Sequence, residues 1–184
     1  MTNGPTFPWH LTNLGNWTHL TNVDQSSAAS GPFDVKQPDS GIATAALPGS
    51  STSVGRFIRA VFYSNFIEKV AGPDKAMHNL SRIMNNFDRP RALSTSPATG
   101  GGEGMKSQGI DSGNAGPPTE YTVWTNMADL SRGQFFFRSY DAFSWTSCDL
   151  SALEEANEPR AMLTSQLDAL GGDGTKALLA GMGI

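Results

Sequence analysis

Residues 94–118 (STSPATGGGEGMKSQGIDSGNAGPP) carry no apolar periodicity, and they limit what this chain can fold into. Gly, Ser and Pro dominate the stretch. It reads as a low-complexity, mobile connector, too polar to bury and too rich in glycine to order without a large entropy loss. It separates a helical part of the 184-residue chain from a strand-rich part. A second stretch of this kind, 24–52 (DQSSAASGPFDVKQPDSGIATAALPGSST), reads as a long loop. Gly and Pro together make up about 17% of the chain, above the usual roughly 12%. Their concentration in these two places marks loops rather than general disorder.

Between the two loops the pattern is helical. In VGRFIRAVFYSNFIEKV, Phe57, Ile58, Val61, Phe62, Phe66, Ile67 and Val70 recur at helical spacing and define one broad apolar face. Ser51, Thr52 or Ser53 can cap its start, and Gly72-Pro73 reads as its stop. A second helix is expected from Asp74 to Phe87, with Met77, Leu80, Ile83, Met84 and Phe87 on its apolar side and Pro90 beyond its end. A shorter helix, Phe7 to Trp17, carries Trp9, Leu11, Leu14 and Trp17 behind a turn at Gly4-Pro5.

After the connector, EYTVWTNM and QFFFRSY read as paired strands joined across Ala128–Gly133, with FSWTSC as a third strand. Ser151 and Glu154 have capping-box spacing and open a helical tail, which Pro159 interrupts and Gly171-Gly172 ends. Helices followed by an antiparallel meander make the fold class α+β. Three strands with large loops form a poor core alone, because the sheet leaves a face and its edges open.

Net charge is −4, so no basic face suits a nucleic-acid backbone. No apolar run approaches the roughly 20 residues that span a bilayer. Residues 1–20 do not read as a signal peptide, lacking a charged start and a continuous apolar stretch. The single cysteine, Cys148, forms no disulfide framework and reads as a buried, inert thiol. His10, His19 and His78 lack metal-ligand spacing and read as structural or surface residues.

Two residues carry candidate chemistry. Arg56 sits near the start of its helix, where the macrodipole disfavours a cation by a few tenths to about 1 kcal/mol, and Arg59 shares that end. On local pattern Arg56 is either a snorkelling surface side chain or a fixed positive charge at a site. Asn3, just before Gly4-Pro5, either caps a turn or donates its amide N–H to a developing oxyanion.

MTNGPTFPWHLTNLGNW resembles the M-T-N-x-P-x-x-x-W-H-x-T-N-L stretch of the choloylglycine hydrolase family, the penicillin V acylases and bile salt hydrolases. LPGSSTSVGRFIRAVFYSNF is similar to that family's L-P-G loop and R-F-x-R-A helix, and EYTVWTNMADLSRGQFFFRSYD to its paired aromatic strands. The likeness runs from residue 1 to about 150 in order. Residues 94–118 look like an insertion and 151–184 like a less similar helical tail. The resemblance implies an N-terminal-nucleophile (Ntn) hydrolase αββα sandwich that cleaves linear amide C–N bonds of N-acyl compounds without a cofactor or metal. It assigns Asn3 to the oxyanion hole and Arg56 to a position beside the nucleophile's sulfur.

In that family the nucleophile is a cysteine that becomes the first residue after processing, and its α-amino group is the base. The resemblance therefore covers the C-terminal half only, without the nucleophile strand, and Met1 looks like an internal methionine. The expectation is a fragment inactive alone, whose partner is the N-terminal half of the same domain. The rival readings are a non-catalytic association subunit that complements a separately encoded half, and a residual product that folds poorly. Thr2 aligns beside the oxyanion asparagine rather than with the nucleophile, and Cys148 has no free α-amine, so neither substitutes. Penicillin V, bile salts and acyl-homoserine lactones stay open as substrates, with Trp9-His10 leaning toward the acylases. Compartment and homo-oligomerisation are left open.

Overall fold

The computed structural model describes residues 4–94, 119–154 and 160–183. Two compact units divide the chain, Met1–Val70 and Ala71–Ile184. The connector at 95–118 and Pro159 lie outside the described residues.

In the first unit, α1 (Phe7–Asn13) has a proline in its first turn and runs on into a 3-10 turn, Leu14–Trp17. The following segment is more ordered than the loop its composition predicts. β1 (Ser27–Ser30) and β2 (Phe33–Lys36) pair antiparallel, from Ser27 opposite Lys36 to Ser30 opposite Phe33. Gly31, at φ 60°, opens the two-residue connection, where a II′-type hairpin requires a positive φ, and Pro32 follows with its φ held negative by its ring. Both strands are exposed throughout, so no apolar alternation marked them in the sequence.

α2 (Ser53–Phe66) starts at the cap Thr52, one of the three predicted. It stops at Phe66 rather than running to Val70, because Ile67 turns extended and gives its N–H to Tyr63. Its most buried positions are Gly55, Ile58, Arg59 and Phe62, spaced i, i+3, i+4, i+7. Half of that stripe is a glycine and an arginine, while Val61 and Phe66 are exposed.

Gly72-Pro73 opens the next helix instead of closing the previous one. Gly72, at φ 92°, precedes α3 (Pro73–Asn85), whose proline at the start loses only an N–H that has no helical partner. The second unit continues with β3 (Trp124–Asp129), β4 (Gln134–Ser139) and β5 (Thr146–Asp149). The three are antiparallel neighbours, but β7 (Gly172–Asp173) adds to β5 in parallel. The sheet is therefore mixed rather than a pure meander. Asp129 builds the β3–β4 turn by accepting the N–H groups of Ser131 and Arg132, and Gly133 takes φ 64°.

Register and pleat put Thr125 and Met127 on one face of the sheet and Thr146 and Cys148 on the other. All four are buried. α3 packs on β3, and α5 (Thr164–Leu170) and α6 (Thr175–Leu179) pack on β5. The Thr146 hydroxyl donates to Leu167 O at 3.0 Å. α4 (Leu150–Glu154) is capped by Asp149, which accepts from Ser151 and Ala152 N–H at 2.9 and 3.4 Å, and not by the predicted Ser151. A two-stranded ladder pairs β6 (Arg160–Ala161) with β8 (Met182–Gly183). No helix among the described residues is long and apolar enough to cross a membrane.

Candidate functional site

The loop before α2 and the first turns of that helix form one tightly bonded structure. Thr52 Oγ1 accepts the Gly55 N–H at 3.1 Å and lies 2.9 Å from Ser50 Oγ. A Cβ on Gly55 would lie 2.5 Å from Ser50 Oγ and 2.7 Å from Ser50 O. Only a residue without a side chain lets the loop lie this close to the helix backbone.

Both arginines turn toward that loop. Arg56, half-buried, donates from Nη1 to Ser51 O, and its backbone N–H donates to Thr52 O at 2.9 Å. Arg59 is 9% exposed and donates from Nη1 to Pro48 O at 2.5 Å and Ser50 O at 2.7 Å. A guanidinium keeps its charge when buried, so it needs acceptors. Carbonyls aimed at these two cations offset the unfavourable macrodipole at a helix N-terminal end.

Asn3 and Thr2 lie outside the described residues. The segment that follows them is anchored on α2. His10, 1% exposed, stacks on Phe57 at 4.4 Å, and Phe7 meets the same ring edge-on at 6.1 Å. Phe57 is the residue after Arg56. α1 is thereby held beside the helix turn that carries the arginine. His10 is structural, as its sequence context suggested.

Cys148 is 4% exposed. Burial pushes its thiol pKa up, and the neighbouring Asp173 carboxylate adds to the shift. That is the opposite of what a nucleophilic thiol needs. Among the described residues no His, Cys, Asp or Glu group is arranged to hold a metal ion.

The second unit holds a cavity of about 600 Å³ lined by Arg91, Tyr121, Trp124, Tyr140, Phe143 and Asp168, among others. The Arg91 guanidinium lies over the Tyr121 and Tyr140 rings, 4.5 and 4.8 Å from their centroids. The Asp168 carboxylate accepts the Ser139 N–H at 3.3 Å and the Ser139 hydroxyl. No motif marks this cluster, because its members come from four separate segments.

The sequence model of the linear amide C–N hydrolases, choloylglycine hydrolase family, matches residues 1–99, more than half of the chain. A conjugated bile acid hydrolase of Lactobacillus acidophilus is 34% identical over 143 residues, which are 78% of this chain and 40% of that protein. A mutant conjugated bile acid hydrolase from Clostridium perfringens has a similar structure, with TM-score 0.62 and 21% identity, covering 82% of this chain and 40% of that one. Penicillin V acylase from Agrobacterium tumefaciens gives TM-score 0.53 and 24% identity over 82% of this chain and 35% of that one. The chain spans about two-fifths of the length of the curated relatives it matches. Over the part that it covers, its fold is the α+β fold of these two structures. The chain belongs to the choloylglycine hydrolase family of linear amide C–N hydrolases.

Proposed function

We propose that residues 1–184 contribute Asn3 and Arg56 to a site that hydrolyses the linear amide bond of N-acyl compounds. In this reading a cysteine outside this sequence is the nucleophile, with its α-amino group as base. The observation that carries it is the packing of Phe7 and His10 on Phe57, which holds the segment after Asn3 against the helix turn bearing Arg56. The thiolate attacks the carbonyl carbon, the amine leaves with a proton, and water then cleaves the thioester. Asn3 donates to the oxygen that gains charge in the tetrahedral state. Arg56 favours the thiolate over the thiol. No cofactor takes part. Residues 1–150 form the family portion, with 94–118 inserted and 151–184 as a tail.

The test is amine release from phenoxymethylpenicillin, conjugated bile acids and acyl-homoserine lactones, by the chain alone and mixed with a nucleophile-bearing N-terminal segment of the family. The chain alone should be inactive and the mixture active. In the active mixture Asn3→Ala should lower kcat by roughly 10²–10³ with little change in KM. Arg56→Ala should move the acid limb of the pH profile to higher pH, because the thiolate is the attacking form and loss of the cation raises the thiol pKa. Turnover by the chain alone, abolished by Thr2→Ala, would overturn the reading. A mixture that is active but indifferent to Asn3→Ala and Arg56→Ala would reduce the chain to a non-catalytic association subunit.

A further inference from the structure

We propose that Arg59 is the positioning residue for Arg56: it fixes the 48–51 loop and thereby the carbonyl to which the Arg56 guanidinium is bound. The proposal rests on Arg56 being the cation beside the nucleophile. It gives a role to a side chain that lies in the R-F-x-R-A stretch with none assigned to it.

Three observations converge on it. First, Arg59 is buried on the same stripe of α2 as Gly55 and Ile58, where an alanine or leucine would ordinarily serve packing. A buried cation there is costly unless it is bonded, and its bonds go to Pro48 O and Ser50 O. Second, the peptide that carries Ser50 O immediately precedes Ser51, whose own carbonyl accepts from Arg56. On the other side of Ser51, Thr52 is fastened to the Gly55 N–H. Ser51 is thus held from both sides, by Arg59 before it and by the helix cap after it. With both neighbouring peptides fixed, the direction of the Ser51 carbonyl is set. Third, Ser50 lies directly against Gly55, so the loop is seated on the helix at the residue whose carbonyl Arg59 holds.

A lysine at 59 would keep the charge on a shorter stem, but its freely rotating ammonium lacks the two coplanar N–H groups with which Arg59 Nη1 meets both carbonyls. Arg59 acts through the loop, and contact with substrate forms no part of its role.

The experiment is side-chain NMR of the 184-residue chain, reading hydrogen exchange of the Arg56 guanidinium in wild type, Arg59→Ala and Arg59→Lys. Ile58→Val, a mild core change on the same helix, serves as the control for lost stability. Wild type and Ile58→Val should show slowed exchange at Arg56. Arg59→Ala should speed that exchange by roughly tenfold or more, as a local opening would, and Arg59→Lys should lie between. If Arg59→Ala does not fold, Arg59→Lys carries the test: faster Arg56 exchange in a folded chain supports the proposal. Arg56 exchange unchanged in whichever Arg59 variant folds overturns it, whatever the change in Tm. This readout needs no activity. A failed coupling between the arginines is therefore distinct from a failed role for Arg56, which only the assay of the assembled enzyme reports.

Discussion

Gly55 shows how one absent side chain shapes the candidate site. Alanine is the better helix former by about 1 kcal/mol, so Gly55→Ala on an exposed helix would stabilise. Here the added Cβ would meet Ser50 Oγ at 2.5 Å and Ser50 O at 2.7 Å. The hydroxyl can rotate away, but the carbonyl is backbone and is held by Arg59. The loop must shift, and overpacking of this kind costs about 1–3 kcal/mol. The expected outcome is net destabilisation in urea unfolding, together with faster exchange at the loop amides. A Gly55→Ala chain as stable as wild type would show that the loop does not rest on the helix. At this scale the sequence was legible only in part. The R-F-x-R-A stretch contains both arginines, but it gave no role to Arg59, and nothing marked Gly55, because what they do comes from a loop folded back on them. Neither charge nor periodicity encodes that contact.

Elements were legible where apolar residues repeat and obscure where hydrogen bonds alone decide. α2 and α3 announced themselves by their stripes, and β3 and β4 by aromatic and β-branched runs flanking a glycine turn. The β1–β2 hairpin has no buried side to announce, and β7 is two residues long. Gly72-Pro73 suits a helix stop and a helix start equally well, and here it serves as the start of α3. Asp24 is another hidden organiser. Its carboxylate accepts the N–H groups of Ala43 and Gly41, at 2.8 and 2.6 Å, across the start of the 3-10 turn Ile42–Thr44. Those bonds, Ala43's first and then Gly41's, hold its pKa below the ordinary carboxylate value. A depressed folded-state pKa gives stability that is present above the unfolded value of about 3.9 and fades as pH falls through the lower folded value. The stability difference between wild type and Asp24→Asn should therefore shrink as pH is lowered from about 6 toward 2. A difference that stays constant across that range would rule out the carboxylate as the origin of the effect.

Across the whole molecule, little apolar side chain is buried within each unit. Ile58 and Phe62 are the buried hydrophobic residues of the first unit among the described residues, and Ile83, Met127 and Cys148 those of the second. Large apolar groups remain in solvent, with Trp124 53%, Leu130 86% and Phe143 103% exposed. Among the described residues β3 also has a strand on one side only, since it ends the order β3-β4-β5-β7. An open edge beside exposed aromatic groups is a template for pairing with another chain. The 184-residue chain studied alone should therefore associate as its concentration rises, bind hydrophobic dyes and melt over a broad range. Asn126 lies mid-strand on β3 and is exposed, so a charge there interferes with edge pairing without entering the core. Asn126→Lys should lower the association seen by light scattering while leaving the far-ultraviolet circular dichroism unchanged. Addition of the nucleophile-bearing segment should suppress association in wild type and sharpen the melt, if that segment covers the same surface. A monodisperse monomer with a sharp two-state transition, unaltered by Asn126→Lys, would mean that this edge and these aromatic groups need no covering.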